Sequence, residues 1–180
     1  MKRGHDAIRD ETAQLAATAW GSSQTEPLLR QGDGISPALV ADIQVQGVWE
    51  SGRPAFFDNR VINADAASYL SQDWNQVANN AALEKHRKYD RAAEDLRGSF
   101  TPLICSCEGV LHREFSVFLK RLANTLAEKW SRAYTQVLGW VRVKIQLAII
   151  RAVSLRLRGV RRKIRSLGME DGAALPRLAD

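Results

Sequence analysis

The sequence predicts an α/β fold built around an antiparallel β-hairpin, and three patterns carry that expectation. Two strand-like runs, Leu39 to Gly47 and Ala55 to Ile62, flank the turn-forming Glu50-Ser51-Gly52. Helical periodicity precedes and follows them, in Asp6 to Trp20 and in Trp74 to Leu96. A further strand-like run, Phe100 to Cys107, comes after the second helix and before two more helical segments. Helix, three strands, helix, strand and then helices is the order of a mixed sheet with helices packed on it.

Each element has its own reason. Ile8, Thr12, Leu15 and Ala19 recur at helical spacing in the first helix, acids stand in its expected first turn, and Gly21-Ser22-Ser23 ends it. Thr25 to Arg30 is a short strand candidate that Pro27 confines to an edge or a strand start, and Gln31-Gly32-Asp33-Gly34 is a loop. Asn63 to Asp73 connects the hairpin to the second helix, whose stripe is Trp74, Ala78, Ala81, Tyr89, Ala92 and Leu96. Lys85 falls on that same stripe. Gly98 is a plausible terminator, and Pro102 stands near the start of the next strand. Arg113 to Trp130 and Tyr134 to about Val160 are helical. Residues 1–165 are expected to form one domain and 166–180 a loose tail.

The 180 residues, 45% of them hydrophobic, suffice for a core. Net charge is +6, and no acid occurs from Lys129 to Arg165, which favours a polyanionic partner. Charged residues interrupt the N-terminus from Lys2 to Glu11, so no signal peptide is expected and the location expected is intracellular. Arg142, Lys144 and Arg151 make Val137 to Leu155 a buried or amphipathic helix rather than a membrane span. Cys105 and Cys107 would point the same way as Leu103 and behave as core residues, and Trp130 and Trp140 are also expected in the core.

Strand alternation puts Phe56, Asp58, Arg60 and Ile62 on one face, with Asp58 and Arg60 roughly 7 Å apart. A three-residue hairpin loop would pair Trp49 with Arg53, placing Asp42 opposite Arg60 and diagonal to Asp58; a two-residue loop would put Asp42 on the other face. Two carboxylates on one face repel each other, which makes a divalent cation a natural counter-ion. The plainer reading is a solvent-facing strand with a cross-strand salt bridge to Arg60. Glu26 could add a ligand, His5 stands on the Ile8 stripe, and a lysine at position 85 needs a carboxylate or phosphate partner unless it reaches solvent.

The stretches RGHDAIRD (from Arg3), TEPLL (from Thr25), ADIQVQGVW (from Ala41), AFFDNRV (from Ala55), EKHRKY (from Glu84), GSFTPL (from Gly98) and WVRVK (from Trp140) resemble, in order and spacing, a known module. It is the restriction-endonuclease-like, PD-(D/E)XK nuclease module at the C-terminal end of reverse-transcriptase-bearing mobile-element proteins of animals. The resemblance implies an α-β-β-β-α-β core followed by C-terminal helices. It also implies a DNA endonuclease using Mg²⁺ or Mn²⁺, a nuclear location, DNA or an RNA/DNA hybrid as substrate, and a reverse transcriptase nearby. By this resemblance Asp42 and Asp58 are metal ligands, Glu26 is a further one, and Arg60 takes the place of the motif lysine.

Two departures stand out. Ala41 replaces the proline that names the motif, and Arg60 carries a guanidinium that cannot act as a general base. Lys85 is then the candidate to supply the missing amine from its helix, as in some members of the superfamily. Lys144, Arg151, Arg158, Arg161, Arg162, Lys163 and Arg165 are candidate phosphate contacts. The alternatives are a degenerate nucleic-acid-binding module without turnover and a helical protein-interaction module in which the strand assignments fail.

Overall fold

The computed structural model describes residues 2–34, 37–66, 69 and 71–166, with side chains described for 6–34, 37–66, 69 and 71–158. In chain order the elements are α1 (Lys2–Trp20), β1 (Gln24–Thr25), β2 (Leu28–Arg30), β3 (Leu39–Val40), β4 (Ile43–Gln46) and β5 (Pro54–Ile62). They continue with α2 (Trp74–Asp95), β6 (Ser99–Ser106), α3 (Arg113–Trp130) and α4 (Tyr134–Ser166). The expected tail lies outside the described residues from 167 onward, and His5 lies outside the described side chains.

The four-stranded sheet has the order β1-β4-β5-β6. β4 and β5 form the antiparallel hairpin, while β6 runs parallel to β5 after the α2 crossover, so the sheet is mixed. The strand assignments therefore hold, and the all-helical alternative does not. Pro102 sits opposite Asp58 on β6, an edge strand with a neighbour on one side only, where a missing N–H is tolerated.

β5 is buried on both faces, and its alternation sorts two cores. Ala55, Phe57 and Val61 join α1, α3 and α4 through Ile8, Leu15, Phe115, Phe118, Leu122 and Ile145. Phe56 and Ile62 turn the other way, to α2: Phe56 meets Tyr89, Ala92 and Ala93, and Ile62 meets Val77, Ala78 and Ala81. Asp58 and Arg60 lie between these two patches by the same alternation. The α1 stripe is buried as expected, but the helix starts at Lys2, so Asp6 stands beyond its first turn. Cys105 is buried and its thiol is pushed up to about 12 by burial, whereas Cys107 is only partly buried.

Two of the three expected early strands are broken. The Thr25–Arg30 run splits at Glu26-Pro27 and the Leu39–Gly47 run at Ala41-Asp42, because β2 and β3 leave the main sheet to pair with each other. The breaks are stitched together by backbone: Glu26 N–H donates to the Asp42 carbonyl (2.9 Å) and Ala41 N–H to the Pro27 carbonyl (3.1 Å). Glu26 has φ 53°, a left-handed conformation unfavourable for a side-chain-bearing residue.

The hairpin register also differs from the expected one. Ladder pairing ends at Gln46 with Pro54, and Gly47 N–H still donates to the Arg53 carbonyl (3.0 Å), so the loop is longer than three residues. Val48 is fully buried and its carbonyl accepts from Arg121 Nε, so it leaves the ladder for the core. The shift is two residues, which preserves the alternation of faces. Asp42 lies just beyond the Ile43 and Phe57 pair, and the expected pairing with Arg60 gives way to bonds with Phe57 and Asn59.

α2 begins with a capping box, Asp73 accepting from Gln76 N–H while the Gln76 side chain accepts from Asp73 N–H. It is tied to the start of α3 by His86, whose Nδ1 lies 2.8 Å from Asp90 and whose Nε2 lies 3.1 Å from Glu114. Burial disfavours a charged His86 ring, but the hydrogen bonds to Asp90 and Glu114 outweigh it and raise its pKa above the usual value.

Two stability predictions follow from this packing. Phe57→Ala, at a fully buried position between α3 and the sheet, should cost about 3–5 kcal/mol in urea unfolding. A loss below about 1 kcal/mol would contradict this core. Because the His86 pKa is higher folded than unfolded, its contribution is present in full below its unfolded value, about 6.5, and is lost as pH rises through the folded value. The urea midpoint of wild type should thus exceed that of His86→Gln more at pH 6 than at pH 9, and an equal gap at both would refute the clamp.

Candidate functional site

The centre of the molecule's polar chemistry is Asp58. Its side chain is 8% exposed, between Phe56 and Arg60 on the α2 side of the sheet. A lone carboxylate there is costly, and α2 answers it with residues one turn apart. Lys85 Nζ lies 2.5 Å from Asp58 Oδ2, and Tyr89 Oη donates to Asp58 Oδ1 at 2.8 Å. The ammonium contact is not aligned as a hydrogen bond, so Oδ2 is satisfied by charge alone. Tyr89 is held by stacking on Phe100, with ring centroids 4.7 Å apart and planes 16° from parallel. Burial, together with Asp58 and Asp42, raises the Tyr89 pKa far above its ordinary value, so the phenol stays a proton donor.

Asp42 stands immediately before β4 begins. Its N–H donates to the Phe57 carbonyl (2.9 Å) and its Oδ2 accepts from Asn59 N–H (2.6 Å), with Asn59 Nδ2 at 3.4 Å. These bonds fix the carboxylate across the strand from Asp58. Both carboxylates act electrostatically on the Tyr89 hydroxyl.

The other expected members are engaged elsewhere. Arg60 Nη1 pairs with Glu84 of α2 at 2.6 Å, and Arg60 holds Glu84 below the usual carboxylate range. Glu26, expected beside the acids, has a carboxylate 65% exposed and 2.7 Å from Arg9; its left-handed backbone turns it toward α1. Glu26 touches Asp42 through its backbone alone in the bonds described above.

The donor set suits Mg²⁺, a hard cation that binds through one or two carboxylates and keeps water and phosphate oxygens for its remaining positions. Asp42 and Asp58 are the two carboxylates here that could offer such ligands. Among the described residues, no three His, Cys, Asp or Glu side chains are grouped to hold a metal ion. An ion at this pair would compete with Lys85 for Asp58 Oδ2.

Along α4, Lys144 is partly buried and lies 3.5 Å from Glu11, whereas Arg151 and Arg158 are exposed. The side chains of Arg161, Arg162, Lys163 and Arg165 lie outside the described set. Trp130 and Trp140 were expected in the core. They are instead partly exposed, packed edge to face on each other at 5.4 Å where α3 hands over to α4. No helix among the described residues is long and apolar enough to cross a membrane.

The lysine at position 85 was expected to need a carboxylate or phosphate partner and has one in Asp58, but Tyr89 was read only as a stripe residue and missed as a polar partner. Its spacing of four from Lys85 was the available signal. Glu84, the acceptor of Arg60, was invisible because it sits off that stripe. No protein-family model matches this chain, and no curated protein matches it.

If Asp58 and Lys85 form one electrostatic unit, their substitutions should be strongly non-additive. Asp58→Asn and Lys85→Met should each destabilise, and the double variant should recover about 1–3 kcal/mol relative to their sum in denaturant unfolding. Additive losses would show that the pair is not coupled.

Proposed function

We propose that the chain is a metal-dependent phosphodiesterase acting on DNA, built on a restriction-endonuclease-like core. The observation that carries this reading is the meeting of three groups from separate parts of the sequence. Lys85 reaches Asp58 from α2, and the Asp42 carboxylate accepts from the N–H of Asn59, the residue that follows Asp58. Arg60 occupies the motif lysine's place but is turned to Glu84, so the amine in contact with Asp58 comes from the helix.

In this reading Asp42 and Asp58 hold Mg²⁺ or Mn²⁺, which supplies Lewis acidity and a bound water of lowered pKa. Asn59 N–H fixes the orientation of Asp42, and Tyr89 fixes that of Asp58. With such an ion bound, the Lys85 ammonium, which in the structure neutralises Asp58, would be the group available to hold a water or the phosphate charge. Arg60, permanently charged, contributes electrostatic stabilisation only. The net charge of +6 suits a nucleic-acid substrate. A nuclear location and a reverse transcriptase beside the chain belong to the same reading.

A second reading has its own observation. Both Asp58 oxygens are already engaged and Arg60 is occupied by Glu84, which suits a nucleic-acid-binding module that has lost turnover.

Nicking of supercoiled plasmid in Mg²⁺ or Mn²⁺ separates them. The nuclease reading expects nicking by wild type, none by Asp58→Ala, and at least about a hundredfold less by Lys85→Ala with DNA affinity retained. Far-ultraviolet circular dichroism must show each variant folded. Absence of nicking by folded wild type that still binds DNA favours the second reading, and normal cleavage by Lys85→Ala removes the lysine from the mechanism. Binding should fall steeply as salt rises, and affinity indifferent to salt would refute phosphate contacts as its source.

A further inference from the structure

α4 carries two apolar faces where a helix on a protein surface ordinarily carries one. Val137, Val141, Ile145, Ala148, Ile149 and Ala152 are buried against the rest of the molecule, chiefly α1 and α3. On the opposite side Trp140, Val143, Leu147, Ile150 and Leu157 are all exposed, the last three of the seam at roughly half or more of their surface.

Their spacing is not scattered. From Trp140 the steps are three, four, three and then seven, with only Ser154 polar at the intervening seam position. This is the a/d pattern of a coiled-coil seam, continued over about 26 Å of helix at 1.5 Å per residue. The Trp130 and Trp140 pair closes its N-terminal end.

The charges beside the seam identify the occupant. In this heptad frame Lys144, Arg151 and Arg158 occupy the three successive e positions, and no acid occurs anywhere from Lys129 to Arg165. A second copy packed antiparallel would set this basic row against itself; packed parallel, it would offer Gly139, Gln146 and Val153 to the row, none of which carries a charge. A phosphate backbone would meet the basic row but leave the apolar seam in water. The narrow stripe, with cations directly beside it, also differs from the broad apolar face of a helix lying in a membrane interface.

We infer that the outer face of α4 is a docking surface for an amphipathic helix of a partner protein, one whose apolar a/d stripe is flanked by glutamates or aspartates. Arg151 and Arg158 then read the partner's carboxylates and the Trp140 to Leu157 seam supplies the apolar contact. The surface is separate from the Asp42, Asp58 and Lys85 site, so its occupancy does not depend on the chain being a nuclease.

The test uses the purified chain and two fluorescently labelled four-heptad peptides. Both have Leu at a and d; one has Glu at every e and g, the other Lys. Like charges discourage each peptide from pairing with itself. By fluorescence anisotropy at low salt the Glu peptide should bind at least tenfold more tightly than the Lys peptide. The double substitution Leu147→Gln and Ile150→Gln, at exposed positions that leave the core untouched, should weaken it at least tenfold. Arg151→Gln with Arg158→Gln should narrow the difference between the two peptides. The inference is overturned if the peptides bind alike or not at all, or if the Leu147 and Ile150 variant binds as well as wild type. A chain that sediments as a dimer dissolved by those substitutions makes a second copy the occupant, and overturns it too. Preference for anionic phospholipid vesicles over the Glu peptide assigns the face to a membrane with the same effect.

Discussion

The buried carboxylate of Asp58 is the constraint around which the rest of the site is arranged. A charge placed between Phe56 and Ile62 on the central strand, under a helix, is stable only if that helix brings a cation and a donor to it. Lys85 and Tyr89 do so from successive turns of α2, and this fixes the rotation of α2 about its own axis. The apolar contacts on either side, Tyr89 on Phe100 and Val77 with Ala81 against Ile62, then complete the layer.

The hairpin shows how a register can be misjudged and the two faces of the sheet still be read correctly. The turn residues suggested a tight loop, but Val48 had a place in the core, and burying it lengthened the loop. Since side chains alternate with period two, the resulting shift of two residues left the inward-facing residues of β4 and β5 facing the same core. Had the shift been one residue, both the site and the core would have been inverted.

What was legible in the sequence was what local periodicity encodes. The stripes of α1 and α2 and the alternation of β5 all express patterns within a couple of dozen residues. The strand breaks at Glu26 and Asp42 were not legible, because they depend on β2 and β3 finding each other and leaving the main sheet. Nor was the pairing of Arg60 with Glu84, two residues that only the crossover through α2 brings together. The tryptophans misled for the opposite reason. Size and apolarity usually mean burial, yet Trp130 and Trp140 shield each other at a helix junction and remain half in water.

The acid-free C-terminal helix was first legible only as positive charge, and its geometry changes what that charge implies. Lys144 is partly spent on Glu11 of α1, which helps dock the helix on the molecule. Arg151 and Arg158 lie beside a row of exposed apolar side chains, not within a continuous cationic surface. Net charge alone points equally to any polyanion. Cations edging a heptad seam narrow the choice to ligands that are apolar and acidic at once, which neither a nucleic acid backbone nor a copy of the same basic helix is. The same composition therefore reads differently once the fold places Lys144, Arg151 and Arg158 along the edge of an apolar stripe.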